Sequence, residues 1–117
     1  MAVTTFGGFE VKSDGDDITL KWFTILEDNL QVIEIYRKPA SGGNFSLIAS
    51  ITPKGNNSSY TYIDNSAFKT SGHEYFYKLK FVSVNSIEST ESYAMRVDHN
   101  NVSGVKRTWG SIKAMFR

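Results

Sequence analysis

Residues 75–84 read Tyr75-Phe76-Tyr77-Lys78-Leu79-Lys80-Phe81-Val82-Ser83-Val84. Tyr75, Tyr77, Leu79 and Phe81 occupy every second position, with Phe76, Lys78 and Lys80 between them. Successive side chains of a strand point to opposite faces, so this spacing predicts a strand with one buried face, whereas a helix would repeat its apolar residues every three to four positions. The run as a whole, His73–Val84, is the longest and most aromatic in the chain.

Shorter runs of the same kind lie on either side, separated by Gly, Asn, Ser and Pro clusters that end strands. Asp17–Thr24 places Ile18, Leu20 and Trp22 inward and Thr19, Lys21 and Phe23 outward. It follows Gly8–Ser13, with Phe9 and Val11 on one face, across a turn at Asp14-Gly15-Asp16. Glu27-Asp28-Asn29 reads as a polar loop, and Gln31–Lys38 as a strand with Val32, Glu34 and Tyr36 on one face and Ile33, Ile35 and Arg37 on the other. That division predicts one partly wet side. After the turn residues Pro39-Ala40-Ser41-Gly42-Gly43 come Phe45–Ile51, with Phe45, Leu47, Ala49 and Ile51 alternating, and Ser59–Ile63, ended by Asp64-Asn65. The seventh run is Ser92–Asp98, where Tyr93, Met95 and Val97 alternate. Seven short runs at even spacing, with no helical period between them, predict an all-β, seven-stranded antiparallel sandwich.

The bulk properties agree with one such domain. The chain has 117 residues, 40% of them hydrophobic, and a net charge of +1. Single domains peak at about 100–150 residues. With no Cys, disulfides, thiolate nucleophiles and Cys-based zinc sites are excluded; with two His, His73 and His99, a His-based metal cluster is excluded too. No apolar stretch is long enough to span a bilayer. The opening Met1-Ala2-Val3-Thr4-Thr5-Phe6-Gly7-Gly8 lacks the basic and apolar regions of a secretory signal. Two expectations stay open: a cytoplasmic protein, or one whose leader has been removed.

The pattern resembles fibronectin type III domains, within the immunoglobulin-like sandwiches. The similar residues are Trp22, Tyr36 within Ile35-Tyr36-Arg37, the segment Phe68–Tyr75 that looks like the approach to a tyrosine corner, and the sixth run with the Ser86-Ile87-Glu88-Ser89 that follows it. Phe9–Trp22, Phe45–Ala49 and Tyr60–Asp64 are similar to the bacterial branch carried on secreted and surface proteins. The resemblance covers residues 6–98. It implies a spacer, adhesion or binding module rather than an enzyme, at the cell surface or outside the cell. No Arg-Gly-Asp tripeptide is present, so integrin-type adhesion does not carry over.

Little in the chain points to chemistry. Asp14, Asp16 and Asp17 offer oxygens for a weak Ca²⁺ site, but the spacing of an EF-hand loop is absent and Asp and Gly are common in turns. Glu27 and Asp28 are adjacent and cannot flank a substrate as an acid–base pair. His73 and His99 fall at strand ends, and neither a Gly-x-Ser-x-Gly elbow nor a phosphate-binding glycine loop occurs. Asn44, Asn56, Asn57 and Asn101 open glycosylation sequons, a motif that arises by chance in a chain rich in Asn and Ser. Phe23 and Phe76, outward by alternation, mark an interface or a surface that the tail or a loop covers.

The final segment breaks the strand pattern. Residues 1–98 form the sandwich, 99–105 a linker, and 106–117 a basic tail. Trp109, Ile112 and Phe116 fall on one helical face, with Thr108 as an N-cap, so a short amphipathic C-terminal helix is expected. Gly110 weakens it by about 1 kcal/mol relative to Ala, and a helix this short is marginal in water unless it docks. The tail holds Lys106, Arg107, Lys113 and Arg117 and no acid. Of the 13 basic residues these four are removed from the rest, which keeps nine against 12 acidic ones: a tail of +4 on a body of −3. The tail could close its own sandwich, fit a protein partner or another copy, lie on an anionic membrane, or touch nucleic acid. The reading adopted is a non-catalytic structural or interaction module without cofactor or metal. In it Trp109, Ile112 and Phe116 anchor a protein partner or another copy and Lys106, Arg107, Lys113 and Arg117 orient it, with no role for nucleic acid. The alternative is a carbohydrate- or peptide-binding module that uses the loops at a sandwich end, where Phe68 is the aromatic exception.

Overall fold

The computed structural model describes residues 3–14, 17–65, 74–84 and 89–98. They form eight strands in two antiparallel sheets: β1 (Val3–Asp14), β2 (Asp17–Asp28), β3 (Leu30–Pro39), β4 (Ser46–Ile51), β5 (Ser58–Asp64), β6 (Glu74–Ser83), β7 (Ser89–Glu91) and β8 (Met95–Asp98). One sheet has the order β1-β2-β5; the other runs β4-β3-β6-β7, with β8 also paired to β6. The seventh expected run, Ser92–Asp98, is strand only over β8, and β7 is an additional strand just before it. β7 pairs with Lys80–Val82 and β8 with Glu74–Tyr77 along the same edge of β6. Between them the Ser92 hydroxyl accepts from the Leu79 N–H at 2.9 Å while the Ser92 N–H donates to the Leu79 carbonyl at 2.9 Å. A side chain completes the ladder there, and Tyr93 turns outward, 65% exposed, instead of alternating into the core.

The core is what alternation demands. Ile18, Leu20 and Trp22 from β2 meet Ile33 and Ile35 from β3 and Tyr75, Tyr77, Leu79 and Phe81 from β6, all buried, with Phe9, Tyr60 and Val97 closing the sides. Each fully buried aliphatic side chain contributes about 1.5–3 kcal/mol. Trp22 stacks on its cross-strand partner Tyr60 with ring centroids 5.2 Å apart, and Phe6 meets Phe81 across the sheets at 4.6 Å.

Among the described residues the register shifts at four places, between Thr5 and Phe6 and between Gly7 and Glu10 in β1, and between Leu30 and Val32 and between Ile35 and Tyr36 in β3, and two of these shifts leave apolar side chains exposed. In β4, Leu47 faces Tyr36 and Ala49 faces Ile35, so Ile48 is an extra residue in a bulge. Ile48, Ala49 and Ile51 pack against the core and Leu47 is 52% exposed. In β2 the strand does not end at Thr24 but continues to Asp28, with Ile25 bulged between Thr24 opposite Phe6 and Leu26 opposite Thr5.

The registers define two poles. Val3 lies opposite Asp28 and Leu30 opposite Ser83 at the first. Asp14 lies opposite Asp17, Ile18 opposite Asp64, and Glu74 opposite Asp98 at the second. The linker at 99–105 and the tail at 106–117 lie outside the described residues, as do His73, His99, Phe68 and Asp16, so the expected C-terminal helix and its anchors fall there as well.

Candidate functional site

Two polar clusters tie the sandwich together. On β3 the inward positions are Ile33, Ile35 and Arg37, so a guanidinium follows two core aliphatics on one face. It is met by Asp64, fully buried at the end of β5: the Arg37 Nη1 donates to Oδ2 at 2.7 Å, and the Tyr77 hydroxyl donates to the same oxygen at 2.6 Å. Burial alone would lower the Arg37 pKa, and the adjacent Asp64 carboxylate more than offsets this, leaving it raised. Tyr77 is pushed far up, first by burial and then by its bond to Asp64, and Tyr62 rises by burial and the nearby Asp64 charge. The inward face of β3 thus ends in a cross-sheet ion pair, Asp64 ends its strand by entering the core, and the partly wet side of β3 is the outer one, with Glu34, Tyr36 and Lys38.

Near the first pole Glu27 does a related task, which corrects its reading as part of a solvated loop. Its Oε2 accepts from Thr24 Oγ1 at 2.5 Å and from the Tyr60 hydroxyl at 2.5 Å; its Oε1 accepts from the Gly55 N–H at 2.8 Å; its own N–H donates to Asn56 Oδ1 at 2.7 Å. Burial first, and then the Glu27 bond, raise the Tyr60 pKa. The carboxylate fastens the loop between β4 and β5 to β2, and nothing in its surroundings resembles a general acid facing a substrate. Asp28, its neighbour, is exposed at the end of β2. A water-sized recess opens beside it between Thr4, Leu30 and Ser83. Among the described residues no group of three metal-ligating side chains gathers, and no helix is long and apolar enough to cross a membrane.

The outer faces carry the remaining signals. On the five-stranded sheet, Tyr36, Lys38, Phe76 and Lys78 point away from the core, as the sequence predicts for Phe76, and the register sets Tyr36 opposite Lys78 and Lys38 opposite Phe76. Lys38 Nζ lies 5.6 Å from the centroids of both Phe45 and Phe76, and Lys78 Nζ lies 4.6 Å from Phe45 and 5.8 Å from Tyr36. Lys78 also pairs with Glu91 at 3.1 Å and Arg96 with Glu74. The Tyr36 hydroxyl donates to Glu34 at 2.7 Å, and that bond, followed by burial, pushes the phenol up to about 12. The rings of Tyr36, Phe45 and Phe76 thus lie under ammonium groups.

The three-stranded sheet is different. Phe23 is outward, as expected, and 41% exposed. Its ring lies over Gly7 and Gly8 of β1: a Cβ on Gly8 would stand 2.5 Å from Phe23 Cε2, and one on Gly7 3.0 Å from Cζ. Gly8 also has φ +63°, which glycine adopts without strain. The bulge at Ile25 then leaves Ile25 (51%) and Leu26 (37%) exposed next along β2. Sequence reading missed these two because it stopped the strand at Thr24; the signal available was the apolar pair Ile25-Leu26 before Glu27. Of the seven residues expected to bind a partner, Lys106, Arg107, Trp109, Ile112, Lys113, Phe116 and Arg117, all lie outside the described residues.

No protein-family model matches the chain, and no curated protein does. Among solved structures it is similar to a Fn3-like protein from Clostridium thermocellum, at 23% identity and a TM-score of 0.58, over 82% of this chain and 91% of that one. Paired sheets of β1-β2-β5 and β4-β3-β6-β7/β8, with Trp22 and Tyr77 in the core between them, give this chain the fibronectin type III-like sandwich fold.

Proposed function

We propose that the chain is a non-catalytic interaction module that joins a protein partner or further copies of itself through residues 106–117. Trp109, Ile112 and Phe116 are the anchors, and Lys106, Arg107, Lys113 and Arg117 orient the approach. The observation that supports this most is the core: the described residues between Phe9 and Val97 build it among themselves, with Ile18, Leu20, Ile33, Ile35, Tyr77 and Leu79 fully buried, which favours a surface outside that core for the tail. The carboxylates Glu27 and Asp64, near opposite poles, are each occupied in holding strands and a loop. The resemblance to bacterial surface modules favours a place outside the cell.

The test compares the full chain with a version ending at residue 105. Circular dichroism and thermal melting are expected to find the shortened protein folded, and light scattering over a range of concentrations is expected to find its association gone. A shortened protein that is unfolded makes the tail part of the core and ends this reading.

A further inference from the structure

We propose that the open edge of β5 receives an extended, acidic segment of a protein partner, which adds to the three-stranded sheet as a fourth strand. This surface is separate from residues 106–117 and does not depend on their role.

A strand edge is a row of backbone donors and acceptors, so what it recognises is another backbone. β5 ends the sheet order β1-β2-β5, and among the described residues no strand pairs with its other side. Its register with β2 runs from Ser58 opposite Thr24 to Asp64 opposite Ile18 without a shift. The other edges are broken: the pairings of β1 and β4 shift register, and β7 and β8 have three and four residues. Bulges and short strands are the usual means of closing an edge, and β5 has neither. The Lys54 ammonium donates to the Ser59 carbonyl, which therefore points away from β2. Backbone groups alternate sides along a strand, so those of Thr61 and Ile63 face the same open side. There no backbone group of the described residues answers them, and the side chains of Ser59, Thr61 and Ile63 are exposed.

The charge at this edge decides the occupant. Lys54 stands at the Ser59 end, and Lys21 lies opposite Thr61. Both are exposed, and neither forms an ion pair among the described residues, although Glu10 lies opposite Lys21 on β1. An incoming strand has to displace the Lys54 ammonium from the Ser59 carbonyl, and a carboxylate opposite Ser59 gives that ammonium a stronger acceptor. The chain itself supplies no such strand. Segments 66–73 and 99–117, the two outside the described residues that are long enough, carry Lys69, Lys106, Arg107, Lys113 and Arg117 and no Asp or Glu. The open edges of a second copy are no better: β4 has no charged residue, and the one acid of β5, Asp64, is buried against Arg37. In an antiparallel addition the residues opposite Ile63, Thr61 and Ser59 follow one another at every second position of the partner. The segment that fits best therefore reads, from its N-terminal end, apolar, any, β-branched, any, acidic.

The experiment titrates the full, isotope-labelled chain with the blocked peptide Thr-Ile-Thr-Val-Thr-Glu-Thr and with the same peptide carrying Lys in place of Glu, and follows the amide resonances and their hydrogen exchange. The acidic peptide is expected to shift the amides of residues 59–63 and to slow exchange at Thr61 and Ile63. The lysine peptide is expected to bind about 10-fold more weakly, and Lys54→Ala to bring the two peptides within about threefold of each other. A methyl group on the nitrogen of the central Val, which faces β5, is expected to abolish binding, and one on the nitrogen of the Thr beside it to leave binding intact. No binding by the acidic peptide, equal binding of the two peptides, or equal tolerance of the two methyl groups overturns the proposal. So does slow exchange at Thr61 and Ile63 in the chain alone: at every concentration it means that the chain's own segment covers the edge, and at high concentration only, that a second copy does. The peptide comparisons use the unaltered protein, and Lys54 is exposed, so a failure to fold does not stand between the proposal and its test.

Discussion

The two outer faces of the sandwich carry similar residue types and treat them in opposite ways. On the five-stranded sheet Tyr36, Phe45 and Phe76 sit beneath Lys38 and Lys78, whose stems cover apolar surface while their charged ends stay in water. On the three-stranded sheet Phe23 spreads over two glycines and continues into Ile25 and Leu26, with no lysine over the ring among the described residues. An aromatic residue on a strand is therefore no sign of an interface by itself. What distinguishes the two faces is whether the neighbouring strand places a long cation or a glycine opposite the ring.

That contrast can be broken at three points. The largest effect is expected from Gly8→Ala, which puts a side chain at φ +63° and 2.5 Å from the Phe23 ring. Left-handed backbone costs about 1–2 kcal/mol for an ordinary residue, and displacing the ring adds to it, so chemical denaturation is expected to register a loss of about 2 kcal/mol. The same substitution at Gly43, also at positive φ but with open space around it, is expected to cost only the backbone share. The second is Lys38→Ala with Lys78→Ala. Exposed cation–π contacts contribute about 0.5–1 kcal/mol each, so the pair is expected to cost about 1–2 kcal/mol and to raise the binding of a hydrophobic dye by uncovering Phe45 and Phe76. An unchanged dye signal would mean that the lysines do not shield that face. The smallest effect is spectroscopic. Tyr36 titrates at about 12 because its hydroxyl is held by Glu34, and Glu34→Gln is expected to bring it back toward 10. Since the folded value lies above the unfolded one, the stability this bond supplies is whole below pH 10 and is lost as pH rises toward 12. Tyr77 and Tyr60 shift in the same direction and add to the decline in alkali.

Much of the fold could be read from alternation because the buried residues are local in their logic. Ile18, Leu20 and Trp22 must share a face whatever lies opposite, and so must Tyr75, Tyr77, Leu79 and Phe81. The misses have a common origin in distance along the chain. Glu27 looked solvated because its partners Gly55, Asn56 and Tyr60 are 28 to 33 residues away. Arg37 on an aliphatic face called for an acid, and the one that answers it, Asp64, is 27 residues on. Bulges at Ile25 and Ile48 and the break at Ser92 cost one residue of phase each, which no period-2 pattern can anticipate. The parity of Phe23 and Phe76 was legible; the glycines under one and the lysine over the other belong to neighbouring strands.

The course of β1 and β8 has a mechanical consequence. β1 starts at the first pole and β8 finishes at the second. Tension applied between Val3 and Asp98 would act along the strands, so the hydrogen bonds of each ladder would be loaded in shear and would have to part together. β8, with four residues against twelve in β1, is the shorter of the two and would slip first. The hydroxyl of Ser92 would then take the strain as the next link to β6.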